Sequence, residues 1–484
     1  MYKTFLQLSL TGLLLYSFNS YSQTVLPLTN PSEINSTVNI PRCGAYHFMQ
    51  HIEKKAAGTM DFSDGMMEQL AQIIRNQQQE RNFEDLYVIP IVFHVVYNNN
   101  EENIHDSVLF NQLEILNDCF RRFNESATDT RTEFLDLVGD SKIQFELAII
   151  DPYGSPTTGI TRTFSSIESF GGILPYGQAQ TTEIQNWVTD SLFYNLFRLS
   201  ETNLGGEDAW DTENYLNIWI GDLRIFEPQF NNLEELVYLA LATPPIDHVN
   251  WPINILDQLE DFEQGILIHY VTVGGNNPNL FPAPYNTSNG VVNTGKMLVH
   301  EVGHYLGLRH IWGDGGCTEE DYIDDTPNSN SSSNYTCNHN TNSCPDNING
   351  LDLPDMVENY MDYSSGNCQN SFTIGQSDLM RATLEVYRPD LAGIISTVNS
   401  GTRYTFDKIE IYPNPTKGKL TVNLGDSYDF VKISIRNSLG QVFLTKNIQN
   451  YSITELDFNA AKGMYFLTVN FDNKEEQVFK IIIE

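Results

Sequence analysis

Basic residues are scarce: 27 Lys and Arg face 62 Asp and Glu in a chain of 484, a formal net charge of -35. A surface of that sign repels phosphate backbones and anionic headgroups, so nucleic acid and acidic membrane surfaces are excluded as partners. Long apolar runs are almost as rare. One, Phe5 to Phe18, broken by small polar residues, follows Lys3 and ends in Ser20-Tyr21-Ser22, the layout of a cleaved secretory signal over residues 1–22. No later stretch approaches the ~20 consecutive apolar residues of a spanning helix, so no transmembrane segment is expected after signal removal. Cysteine is sparse too: of six, Cys317, Cys337, Cys344 and Cys368 crowd into one region, and Cys43 and Cys119 stand alone. Export permits disulfides, so the four are expected to be bridged, in one of three pairings. Cys119, on an apolar helical stretch, reads as a buried free thiol.

The acid excess serves solubility outside the cell and can also supply oxygen ligands for calcium. The length exceeds what one core organises, so a large domain with smaller ones is expected. Residues 23–83 are polar, with a Gln-rich helical stretch from Glu68 to Glu80; the β-rich run Tyr87 to Tyr97 then begins abruptly. Leu109, Leu113, Leu116, Phe120 and Phe123 recur at helical spacing behind an Asp106 or Ser107 cap, and Ile143 to Leu147 alternates like a strand. Strand, helix, strand predicts a crossover unit opening an α+β domain over residues 84–396. Tyr215 to Ile220 reads as a further strand, and parts of Asp222 to Gln264 read as helical. From Ile409 onward seven short β-rich runs separated by turn residues predict a β-sandwich over residues 405–484.

His300-Glu301-Val302-Gly303-His304 sets two imidazoles one turn apart on a helix, so both reach one ion, with Glu301 beside them. Gly307 and His310 extend this to His-Glu-x-x-His-x-x-Gly-x-x-His, which chance supplies in roughly one such chain in tens of thousands. Gly307 lets the helix stop and turn in a left-handed conformation, so that His310 swings back as third ligand. Three histidines leave a zinc position open for water, with Glu301 placed as general base for peptide-bond hydrolysis.

This motif resembles that of the metzincins. The flanking Gly295 to Val299 and Ile311-Trp312-Gly313-Asp314, with Val92 to Tyr97, Pro156 to Ile160, Asp208 to Asp211, Tyr215 to Trp219 and Asp324-Asp325-Thr326-Pro327, resemble the pappalysin family of secreted peptidases from about Tyr87 to Leu391. The resemblance implies a twisted mixed sheet with backing and active-site helices and a loop-rich C-terminal subdomain. It also implies a methionine turn at Glu358 to Tyr363, with Met361 beneath the histidines and Tyr363 facing the metal or the oxyanion. Arg42-Cys43-Gly44 resembles a cysteine switch, in which Cys43 binds zinc in a latent form; the alternatives are pairing with Cys119 or an idle thiol. A cut between Cys43 and Tyr87, at Arg75 or Arg81, would activate the chain. The family favours the pairings Cys317 with Cys344 and Cys337 with Cys368, and calcium at Asp321, Asp324, Asp325 and Thr326. Ser364 to Asn367 lacks the carboxylate with which some relatives bind a basic side chain after the cleaved bond, which argues against arginine specificity.

Ile411 to Pro415 with Gly418, Ser438-Leu439-Gly440 and Gly463 to Phe466 resemble the C-terminal sorting domain of type IX secretion substrates. That implies recognition by type IX secretion machinery, export from a Gram-negative bacterium, and a secreted or surface-attached product acting on protein or peptide substrates. The alternative is a catalytically silent zinc-containing binding or adhesion protein, against which the intact Glu301 argues.

Overall fold

The computed structural model describes residues 43–45, 48, 70–74, 85–173, 192–229, 232–245, 262–280, 294–395, 409–428, 431–437, 442–448, 451–458, 460–471 and 475–483. The expected signal over 1–22, most of 23–83 with Arg75 and Arg81, and the junction 396–408 lie outside the described residues.

The expected strand from Tyr87 is β1, Leu86–Tyr97, and from Ile91 to Val96 it is buried throughout, as a central strand covered on both faces must be. β2 (Ile143–Leu147) and β3 (Ile160–Phe164) pair in parallel with its two halves. Pro90, which cannot donate to a ladder, lies between the residues that pair with β10 and those that pair with β5. The sheet runs β10 (Gly393–Ile395), β1, β5 (Leu216–Gly221), β9 (Ile266–His269), β8 (Ala240–Ala242). β10 and β8 run antiparallel to their neighbours and the other pairings are parallel, so the sheet is mixed. A smaller sheet joins β4 (Gly172–Ile173), β6 (Arg224–Gln229) and β7 (Asn232–Val237). The described part of Asp222 to Gln264 is therefore extended, not helical: its apolar residues pair along β6 to β8, and strand pairing overrides the local helical reading.

Helix α1, Asp106–Phe120, buries Leu109, Leu113, Leu116 and Phe120 at the expected spacing. Its N-cap is His105, not Asp106 or Ser107: the ring Nδ1 accepts from Ser107 N, and Asp106 occupies the first turn. Phe123 lies beyond the helix end and is half exposed, beneath the Arg121 guanidinium. Asn117 ties α1 to β2 by exchanging hydrogen bonds with Phe145, and buried Gln112 donates to Gly295 O at 2.8 Å. Gly295 is the left-handed N-cap of α2, Lys296–Tyr305, so the backing helix sets where the motif helix begins. Helix α3, Ile374–Tyr387, opens with a Thr373/Gln376 capping box.

The C-terminal strands follow the expected spacing. β11 (Glu410–Tyr412), β12 (Lys419–Tyr428) and β15 (Tyr451–Asp457) form one sheet; β14 (Val442–Ile448), β13 (Val431–Asn437), β16 (Gly463–Phe471) and β17 (Glu475–Ile483) form the other. They enclose a core of their own that includes Val422, Ile433, Leu467 and Ile481. Mixed sheet with few helices, followed by all-β sheets, is the expected α+β class.

Candidate metal centre

All of α2 except Lys296 is buried. Gly303 lets it sit so deep, because a Cβ there would lie 2.5 Å from Met361 Sδ. After Tyr305 the chain turns at Gly307, φ 93°. A side chain there would also meet Thr383 Oγ1 at 2.8 Å, so both conformation and space require glycine. The turn brings Leu308 O within 2.8 Å of His304 Nδ1 and carries His310 back toward the helix.

Each imidazole has its Nδ1 against an oxygen: His300 on Tyr360 O at 2.7 Å, His304 on Leu308 O, and His310 on Asp314 Oδ1 at 2.5 Å. A carbonyl or carboxylate oxygen only accepts, so these Nδ1 atoms carry the protons and the Nε2 atoms present lone pairs. The Nε2 of His304 lies 3.1 Å from that of His300 and 3.2 Å from that of His310. Three inward lone pairs repel one another unless a cation lies among them, so the donor set fits a metal of the zinc type. Burial first, and then His310, hold the His304 pKa well below the usual imidazole range, which keeps that ring neutral as a ligand must be.

Cys43 Sγ completes the cluster, since its ligand atom and those of the three histidines all lie within 4.8 Å of one another. Gly44 N donates to Ala240 O at 2.8 Å, which lays the segment along β8, the end strand of the sheet. Burial pushes the Cys43 thiol well up, and the adjacent Glu301 carboxylate pushes it further; a nearby cation acts in the opposite sense. Glu301 is fully buried beside the histidines.

Met361 packs under Gly303, and half-buried Tyr363 faces the centre, its ring 4.8 Å from His310 and 5.6 Å from His300. Trp312 stacks on His310 at 4.3 Å. The disulfides are Cys317–Cys344 and Cys337–Cys368, the expected pairing, and both unbridged cysteines are buried. The acidic quartet is divided. Asp321 Oδ2 accepts from Thr326 Oγ1 at 2.6 Å, Asp325 Oδ2 accepts from Gly375 N, and Asp324 is exposed. Among the described residues these acids do not bring three carboxylate oxygens within 4.8 Å of one another. Burial nevertheless raises the Asp321 pKa to about 8.

Several supports escaped the sequence reading. Arg131 grips Glu358 through Nε and Nη2 at 3.0 and 2.7 Å, and donates to His339 O and Asp355 O, pinning the approach to Met361 from 227 residues away. Asn359 exchanges side-chain hydrogen bonds with Gln376 of α3 and accepts from Met361 N. Neither pairing has a local signal. Asp314, four residues after His310, could have been found as the usual partner of a ligating imidazole.

A family model described as pregnancy-associated plasma protein-A matches residues 268–385, which contain the cluster histidines, Glu301, Met361 and Tyr363. Promirolysin from Tannerella forsythia, solved as a variant, is 31% identical over 72% of this chain and 96% of its own, with a TM-score of 0.51. The chain belongs to the pappalysin family. The mature mirolysin structure, in complex with a cleaved peptide, is 33% identical over 63% of this chain and 98% of its own, with a TM-score of 0.46. An extracellular metalloprotease of Arthroderma otae is 39% identical over 97 residues, 20% of this chain and 34% of that protein. One of Pyricularia oryzae is 44% identical over 97 residues, 20% of this chain and 32% of that protein. The chain thus spans about a third of the length of these curated relatives. A second family model, a secretion system C-terminal sorting domain, matches residues 410–484 and marks this pappalysin for export by type IX secretion. No helix among the described residues is long and apolar enough to cross a membrane.

Proposed function

We propose that this pappalysin is a zinc-dependent endopeptidase of extracellular proteins, made in a latent form. The observation that carries the reading is the convergence of three Nδ1-protonated imidazoles on one point beside the buried Glu301 carboxylate. His300, His304 and His310 hold the metal, and a zinc ion bound there acidifies water and polarises a scissile carbonyl. Glu301 takes the proton of the attacking water and delivers it to the leaving amine. Tyr363, facing the centre from the methionine turn, donates to the oxygen on which negative charge develops. Met361 sets the depth of the motif helix, and Asp314 fixes the tautomer of His310.

Cys43 would hold the same metal in the latent form, and its seat against the three histidines supports this. The chain divides into a signal over 1–22, a latency segment over 23–83, the peptidase over 84–396 and the sorting sandwich over 405–484. A cut between Cys43 and Tyr87 releases the cleft. Asp321, Asp324, Asp325 and Thr326 would supply the oxygen donors for a calcium ion in this segment.

The test is digestion of a peptide library by the activated protein, with and without a zinc chelator, alongside Glu301→Ala. Internal cleavage that the chelator abolishes, and that the substitution lowers at least about a hundredfold with zinc content unchanged, is expected. Undiminished turnover in the variant removes the general-base role; a zinc-loaded protein that cleaves nothing makes the silent binding protein the better reading.

A further inference from the structure

The segment that carries Cys43 has a second point of attachment that the metal does not explain. Phe48 N donates to Gly44 O at 2.9 Å, one helical turn on from the strand-like contact with β8. That turn drives the Phe48 ring into full burial among three other aromatic rings: Phe193 at 5.2 Å, Phe197 at 5.2 Å and Phe262 at 5.0 Å between centroids. The Phe193 and Phe262 contacts are edge-on, the geometry in which a ring's positive rim meets a negative face. At Gly44 the backbone lies flush on β8, since a Cβ there would fall 2.9 Å from Leu241 Cδ1.

We propose that Phe48 is a second anchor of the latency segment, one that holds Cys43 over the histidines independently of the metal by seating its ring among Phe193, Phe197 and Phe262. The inference rests on the latency reading and extends it: Cys43 gives the segment its chemistry at the metal, and Phe48 gives it residence. An anchor of this kind binds by area and ring geometry alone, so it works on metal-free protein, before zinc arrives.

The experiment uses the full-length precursor stripped of metal by a chelator, with iodoacetamide alkylation of Cys43 followed residue by residue at one fixed pH. Slow alkylation is expected in the wild type, because the segment must open locally before Cys43 reacts. Phe48→Ala should react about ten- to hundredfold faster, the factor a fully buried Phe side chain commands. Cys119, buried on α1, monitors the fold and should stay unreactive in both. If the alanine variant opens Cys119 as well, Phe48→Leu decides, keeping apolar bulk without the ring contacts; several-fold faster alkylation supports the anchor and a wild-type rate overturns it. An unchanged Cys43 rate in Phe48→Ala, or a stripped wild type that reacts as fast as a free peptide of residues 41–50, overturns it too. The latency reading fails by a different result, a Cys43→Ser precursor no more active than the wild type.

Discussion

Arg131→Ala should loosen the methionine turn without touching a metal ligand. The Glu358 side chain is 2% exposed and the Arg131 side chain 12%, so the pair sits largely out of water. Arg131 supplies two charge-assisted bonds to that carboxylate and two more to the carbonyls of His339 and Asp355. Truncation leaves a buried charge with its main partner gone, a change that costs about 3 kcal/mol or more. In a domain of this size that is a fall of roughly 5 °C in unfolding temperature. Because Glu358 opens the turn that places Met361 and the Tyr360 carbonyl bonded to His300, zinc affinity should fall with it. Removing both charges in Arg131→Met with Glu358→Met should recover most of the loss, since an apolar pair needs no partner. Calorimetry of the zinc-loaded protein, with chelator competition for zinc, measures both effects. If the single variant melts within a degree or two of the wild type, or the double variant is no better, the ion pair does not brace the turn.

Gly303→Ala adds a Cβ 2.5 Å from Met361 Sδ, an overpacking cost of ~1–2 kcal/mol that the better helix propensity of alanine, about 1 kcal/mol, largely offsets. Stability should therefore barely move while zinc affinity drops, and Met361→Ala in the same chain should restore it. His94 is buried between β-strand neighbours with its pKa lowered from 6.5 to about 4 by burial. Its folded pKa lies below the unfolded one, so its contribution, about 3 kcal/mol, is complete above pH 6.5 and is lost as pH falls through 4. Urea midpoints at pH 7.5 and 4.5 should show that slope, and His94→Gln should flatten it. Tyr363→Phe should lower kcat about tenfold with KM little changed; a KM effect alone would make Tyr363 a packing residue. Calcium added to chelator-treated protein should raise its unfolding temperature, and Asp321→Asn should abolish the rise.

What was legible in the sequence was whatever is encoded locally. The spacing of His300, His304 and His310 fixes a helix, a turn and a convergence point, because Gly307 can adopt the one backbone state that returns the chain. Alternation and turn residues gave β2 and the C-terminal strands, and period marked α1. Its cap was misplaced by one or two residues because a histidine ring can do the work usually given to Asp or Ser. The stretch around β6 to β8 was misread because its strands are specified by their partners, β6 and β7 by each other and β8 by β9, and not by their own pattern. Arg131 with Glu358, Asn359 with Gln376, and Gln112 with Gly295 join positions that only the finished topology brings together.

The three-residue length of β8 sets a limit on what can dock along its outer side. An unsatisfied ladder of amides at a sheet margin invites any extended strand, including one from a sister molecule, and so threatens self-association. A rung count this small can grip one short stretch of backbone but cannot seed a growing fibril. Most of the hold on a strand laid there must then come from contacts beyond the ladder, as Cys43 among the histidines and Phe48 among the phenylalanines provide for the latency segment.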